Sequence, residues 1–166
     1  SSEKLTEEAA KHRGIVYIRT TRKETPVIYK ESEEFPIGGC KVLRKSASDQ
    51  VTVVGVGITL HEVLKAYDTL KEKGITIRVI DLYSIQPLNI KTLKKAANET
   101  KTIITVEDHH KAGGLGEAVS SALSPFGKSV HILSVEKIPH SGKPQELLDY
   151  EGISADAICK AVTKIL

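Results

Sequence analysis

Tryptophan and methionine are absent from this chain, and its 166 residues include only five Tyr and two Phe. No run interleaves aromatic with basic residues, so the stacking platforms that bind single-stranded nucleic acid are not expected. Charge of one sign is lacking too: 24 Lys and Arg stand against 21 Asp and Glu, a formal net charge of +3 spread along the chain. That balance makes no basic stripe, and no nucleic-acid partner is expected. Apolar runs are only a few residues long, far short of the ~20 needed to span a bilayer, and no basic start leads into an apolar leader. No membrane partner and no secretory signal are therefore expected. The two cysteines, Cys40 and Cys159, lie far apart and in no C-x-x-C spacing. A disulfide framework is not expected, and a reducing, cytoplasmic setting is. What remains is an ordinary globular composition, 40% hydrophobic and 27% charged, long enough to bury one core.

The pattern of those residues divides the chain. Residues 2–13 are rich in Glu and Ala, with Leu5, Ala9 and Ala10 on one side and Gly14 where a helix-ending glycine belongs, so they predict a helix. Ile15-Val16-Tyr17-Ile18 predicts a strand, ending in Arg19-Thr20-Thr21-Arg22. Residues 23–39, with Pro26, Pro36 and the acidic Glu31-Ser32-Glu33-Glu34, read as a linker. The chain opens on Ser1 rather than Met, and a lone helix and strand before a linker have no sheet of their own. They read as the last element of an upstream α/β domain, with a boundary near Pro36, giving 1–36 as tail and linker and 37–166 as the main domain.

Beyond that boundary the alternation is regular. Residues 40–43 and 51–56 are apolar runs joined by a short polar loop, which suggests a hairpin and one antiparallel pair. Thr59-Leu60-His61-Glu62 has the arrangement of a capping box, and Leu60, Val63, Leu64, Tyr67 and Leu70 recur at helical spacing. Strands are expected over 75–80, 102–106 and 130–135, with helices from Asn89 to Asn98, over 116–123, and after Ser154. The expected fold is a three-layer α/β/α sandwich whose sheet is mostly parallel with one antiparallel strand.

In such a sheet the functional loops follow the carboxyl ends of the strands. Gly55-Val56-Gly57 leads from a strand into a helix as a dinucleotide site does, with Asp81 near the offset of a ribose contact, but Leu60 stands where the third glycine belongs. A tight turn is the plainer reading. Glu107-Asp108-His109-His110, followed by Gly113-Gly114-Leu115-Gly116, is the densest titratable cluster. It suits metal binding or acid-base chemistry, or else is a polar strand end entering a helix with Glu117 on its first turn. Ser141-Gly142-Lys143 ends like a phosphate loop yet has Lys137 in place of the first glycine. Arg19 and Arg22, after the first strand, are placed to take a phosphate bidentately, although an exposed arginine is more often only solvated. No Ser-His-Asp or Cys-His set can be assembled, so no catalytic residue is assigned in this chain.

Taken together, Tyr17-Ile18-Arg19-Thr20-Thr21-Arg22, Val53-Val54-Gly55-Val56-Gly57-Ile58-Thr59-Leu60-His61-Glu62, Ile85-Gln86-Pro87-Leu88, Val106-Glu107-Asp108-His109, Gly113-Gly114-Leu115-Gly116-Glu117-Ala118 and Ser141-Gly142-Lys143-Pro144 resemble, in order and spacing, the C-terminal part of a transketolase. The resemblance covers essentially the whole chain. It implies a parent that moves two-carbon ketol units between sugar phosphates with thiamine diphosphate and a divalent metal such as magnesium, working as a homodimer. It also implies that residues 1–36 end a pyrimidine-binding domain and that 37–166 form the C-terminal domain. Arg22 matches the arginine that grips the sugar phosphate; no cofactor-binding, metal-binding or catalytic residue is implied in this chain, because no Gly-Asp-Gly followed by Asn is present. Two other readings remain open: a free-standing nucleotide- or anion-binding module, and the C-terminal subunit or domain of another thiamine-dependent enzyme.

Overall fold

A computed structural model describes residues 1–21 and 24–166. Five strands form one sheet: β1 (Lys41–Arg44), β2 (Val51–Gly55), β3 (Ile77–Asp81), β4 (Thr102–His110) and β5 (Val130–Val135). Their spatial order is β1-β3-β2-β4-β5, with β1 antiparallel to β3 and the other pairs parallel. Around them run α1 (Ser2–Lys11), α2 (Ile58–Glu72), α3 (Ile90–Glu99), α4 (Leu115–Leu123), α5 (Pro144–Glu151) and α6 (Ala155–Ile165). Every residue of β2 and β3 is buried, as strands covered on both faces must be. On one face Leu60, Val63 and Leu70 of α2, Leu148 of α5 and Ile158 and Val162 of α6 pack on Val51, Val53 and Val79. On the other, Leu93 of α3 and Leu115, Val119 and Leu123 of α4 pack on Val54, Ile80 and Ile103. The fold is the expected three-layer α/β/α sandwich with one antiparallel strand.

Several local expectations are corrected. Strands β1 and β2 do not form a hairpin: Lys41 lies opposite Asp81 and Val42 opposite Ile80. Both edges of β2 are taken, by β3 on one side and β4 on the other, so β1 cannot pair with its sequence neighbour and joins the outer edge of β3. The capping box is also not formed. Gly57, with φ +57°, caps α2, which moves Thr59 inside the helix and frees the Glu62 carboxylate to accept from the Ala155 N–H of α6 at 2.9 Å. Glu62 thereby satisfies the first amide of α6, while Ser154, which precedes that helix, makes no side-chain cap bond.

At the amino end α1 stops at Lys11, earlier than the helix expected to Arg13, because His12 is already extended and Gly14 has φ +125°. Residues 15–18 are not a strand. A strand needs a neighbour for its ladder, and none of the described residues pairs with them; Ile15 and Tyr17 are left exposed. Helix α5 has no counterpart in the sequence reading, although Pro144 at its first turn and Gly152 after its end, with φ +72°, are the usual punctuation.

The stretch read as a linker is docked over residues 29–39. Phe35 is 2% exposed and meets Tyr29 and Tyr83 edge to face at 4.8 and 5.1 Å between ring centroids. The Gly38 N–H donates to Ser84 Oγ at 2.9 Å, and Asn89 Nδ2 donates to the Gly38 carbonyl at 3.2 Å while its Oδ1 caps α3 by accepting from Thr92 N–H at 3.1 Å.

Candidate functional site

The chain crosses from one side of β2 to the other between β3 and β4, so the carboxyl ends of β2 and β4 meet at the point where ligands settle in open parallel sheets. Here that crevice is filled from within. Strand β4 runs on through His110, longer than the sequence suggests, and carries Glu107 inward. Glu107 is 1% exposed, and its two carboxylate oxygens accept from the Leu115 and Gly116 N–H groups at 2.7 and 2.8 Å. Those amides open α4, the position at which a phosphate would be held by a helix terminus.

The glycines of this loop are needed for room. A Cβ at Gly114 would overlap the Glu107 carboxylate and lie 2.7 Å from the His110 carbonyl oxygen, and one at Gly116 would lie 2.5–2.9 Å from three carbons of Ile132. Burial pushes the Glu107 carboxyl above its ordinary pKa, opposed by the Gly116 and Leu115 amides that favour its charged form. Glu117 lies on the first turn of α4, as expected, and its carboxylate also accepts from the Gly113 N–H at 2.7 Å. Thr59 Oγ1 lies 2.7 Å from the Val106 carbonyl, tying the Gly55-Val56-Gly57 turn to β4.

The dinucleotide reading loses its acidic residue as well. Asp81 is 4% exposed and accepts a short hydrogen bond from the Tyr29 hydroxyl. Burial pushes its pKa up to about 6 against the pull of that hydroxyl, and pushes the Tyr29 hydroxyl upward too. A ribose has no access to this carboxylate.

Nor does the cluster at residues 107–110 converge on a metal. Glu107 is bound to amides, Asp108 faces Arg19, and His109 and His110 are exposed, with His109 Nδ1 2.7 Å from the His110 carbonyl. Among the described residues no group of three or more His, Cys, Asp or Glu is placed to hold a metal ion. These residues therefore do not fit the metal and diphosphate of a thiamine cofactor. Ser141, Gly142 and Lys143 lie exposed ahead of α5 and make no phosphate cradle.

Of the two arginines considered for a phosphate, Arg19 is engaged elsewhere. Its Nη1 donates to Asp108 Oδ1 at 2.7 Å, and its Nη2 donates to Asp108 Oδ2 at 3.1 Å and to the Asp108 carbonyl at 3.2 Å. Arg22, for which the sugar-phosphate role is expected, lies outside the described residues, as does Lys23. Sequence reasoning misses the Arg19–Asp108 and Tyr29–Asp81 contacts, because both join positions far apart in the chain.

Residues 39–158 match the family model of the transketolase C-terminal domain. The chain is 52% identical over 160 residues to transketolase-like protein 1 of Bos taurus, covering 95% of this chain and 27% of that protein. It is 49% identical over 168 residues to transketolase of Homo sapiens, covering 100% of this chain and 27% of that protein. Thus the chain spans about a quarter of the length of these relatives. Among solved structures, the one described as a split gene transketolase, inactive beta4 tetramer, superimposes with a TM-score of 0.91 at 32% identity, covering 99% of this chain and 53% of that one. A transketolase from Campylobacter jejuni, at 19% identity and a TM-score of 0.59 over 76% of this chain and 18% of its own, shares the fold. Among the described residues no helix is long and apolar enough to cross a membrane. With the family model matched over most of the chain and the fold reproduced from the first strand to the last helix, the chain belongs to the transketolase family, as its C-terminal domain.

Proposed function

We propose that this chain is the C-terminal portion of a transketolase-like enzyme that transfers two-carbon ketol units between sugar phosphates, using thiamine diphosphate and a divalent metal held by upstream domains. By itself it is a packing and interface domain without catalysis. The observation that carries this reading is the plugged crevice: the helix terminus that would hold an anion is satisfied by Glu107, in a chain whose relatives are transketolases about four times its length. The same observation speaks against a free-standing nucleotide- or anion-binding module.

Residues 1–36 form the tail of the preceding pyrimidine-binding domain and the linker, and residues 37–166 the C-terminal domain. Supporting this division, α1 buries none of its residues and residues 15–18 are apolar and unpaired among the described residues. Such a segment suits the edge of a sheet elsewhere. The assembled enzyme is a cytoplasmic homodimer of the pentose phosphate pathway. The tetramer described for the structural relative is consistent with assembly through this domain.

Within that enzyme Arg22 takes the substrate phosphate, as a planar guanidinium fork is suited to do. In an enzyme assembled from this chain and upstream transketolase domains, Arg22→Ala is expected to raise KM for phosphorylated sugars roughly tenfold to a hundredfold, the loss of a charge-assisted pair. KM for an unphosphorylated donor should change little. Steady-state kinetics with both substrate classes decide it, and equal effects on the two would remove Arg22 from the phosphate site.

A further inference from the structure

Of residues 29–39 only Phe35 is buried, and the stretch that leads into them, residues 24–28, is exposed throughout. The strap they form is held over the carboxyl end of β3 at separate points: Phe35 against Tyr29 and Tyr83, the Pro36 carbonyl accepting from the Tyr83 hydroxyl at 3.2 Å, and the Gly38 N–H on Ser84. A Cβ at Gly39 would overlap the Tyr83 hydroxyl, so the seat is close-fitting. Segments with so little burial are those that open while the core stays shut.

Under the strap lies the buried Asp81, and it accepts from the Tyr29 hydroxyl of the strap itself. Glu107, equally hidden, has two amides at a helix terminus to keep it ionised. The surroundings of Asp81 are less generous. Lys41, opposite it in the ladder, and the Ser1 amino group favour the carboxylate. The Lys41 ammonium, however, is shared with Glu33 at 3.2 Å and with the Phe35 ring at 4.8 Å. Glu33 is kept ionised, first by the Lys30 N–H and then by Lys41. Burial pushes Cys40 upward and Tyr83 up to about 12, so both stay neutral. Desolvation therefore outweighs the cations, and the seated Asp81 carboxyl is held at about 6 rather than 3.8.

We propose that residues 29–39 are a proton-dependent latch: seated over a protonated Asp81, they lift from the sheet as a unit when the carboxyl ionises and takes up water. Release returns Asp81 to its ordinary pKa, so the seated form binds the extra proton. Seating is favoured fully below about pH 4 and weakens as pH rises through 6. Release also adds residues 29–39 to the free stretch 24–28, which lengthens the tether between the amino-terminal tail and the sheet. The latch goes beyond the ketol-transfer reading and does not depend on it.

Hydrogen exchange of the 166-residue chain, read by NMR and corrected for the intrinsic rate at each pH, tests it. The Gly38 and Gly39 amides, bonded to Ser84 Oγ and the Pro36 carbonyl, report the strap, and Val53 in β2 reports the core. Strap protection is expected to lie at least tenfold below that of Val53 at every pH and to be insensitive to dilute urea, as a small opening requires. From pH 4.5 to pH 7.5 it should fall about tenfold to thirtyfold, the part of a two-unit pKa difference that lies in that window. Asp81→Asn should flatten this slope. Tyr29→Phe, which removes the donor to the charged form, should lower strap protection about threefold to tenfold at pH 7.5. Exchange of Gly38 and Gly39 at the rate and with the urea dependence of Val53 would make the strap part of the core and overturn the latch. So would strap protection that is constant with pH in the wild type, or an unchanged slope in Asp81→Asn. Should either variant fail to fold, the wild-type slope and urea dependence decide.

Discussion

Replacing Glu107 with alanine is expected to lower the stability of the domain by about 4 kcal/mol, the combined loss of two hydrogen bonds to a charged acceptor and of its favourable place at a helix terminus. The Leu115 and Gly116 amides would keep no protein acceptor at a site where Glu107 is 1% exposed. Buried donors left in this state account for the large values among single substitutions. For a domain of this size the loss corresponds to a fall in Tm of roughly 10–15 °C. Glu107→Gln should do little better, because its amide nitrogen turns a donor toward one of the two N–H groups. Thermal melts of the 166-residue chain followed by circular dichroism read both variants, and a Tm within 2 °C of wild type for Glu107→Ala would show that water replaces the carboxylate freely.

The second large effect concerns Asp81 and pH. Its pKa is raised from 3.8 to about 6 in the folded chain, with burial as the leading cause. The folded state therefore holds a proton that the unfolded chain has released over that interval. Stability from this group is full below about pH 4, declines as pH rises through 6, and is constant above. The decline amounts to as much as about 3 kcal/mol at 1.36 kcal/mol per pKa unit. Asn at this position keeps an oxygen to accept from the Tyr29 hydroxyl and has no charge to bury. The stability of Asp81→Asn relative to wild type should therefore climb between pH 4 and pH 6 and level off. Urea titrations at half-unit pH steps measure the difference, and parallel curves for the two proteins would mean that the Asp81 carboxyl is not held up by burial.

What the sequence discloses of this fold is what local pattern encodes. The branched runs of β2 and β3 and the helical spacing in α2 declare themselves because those residues are buried by the layers on either side. The place of β1 does not, since its partner is decided by which edges remain after the crossovers fill both sides of β2. Polarity hides the far end of β4: Glu107, Asp108, His109 and His110 read as a loop, yet the ladder resumes where His110 lies opposite Val135.

The candidate site divides in the same way. A polar strand end leading through glycines into a helix is legible, and so is the need for an acid near its first turn. That Glu107 reaches this terminus in addition to Glu117 depends on strand alternation and on the space at Gly114, neither visible in a motif. The clasp of Arg19 by Asp108 and the seating of Tyr29 on Asp81 depend on the three-dimensional course of residues 12–36, where no periodicity guides a reading.

The central claim is that catalysis belongs to an assembly in which this chain is the C-terminal domain. Its most direct test is ketol transfer from xylulose 5-phosphate to ribose 5-phosphate with thiamine diphosphate and magnesium, measured for the pure chain and after joining or mixing it with upstream transketolase domains. No turnover by the chain alone and turnover by the assembly is the predicted result; turnover by the pure 166-residue chain would contradict it.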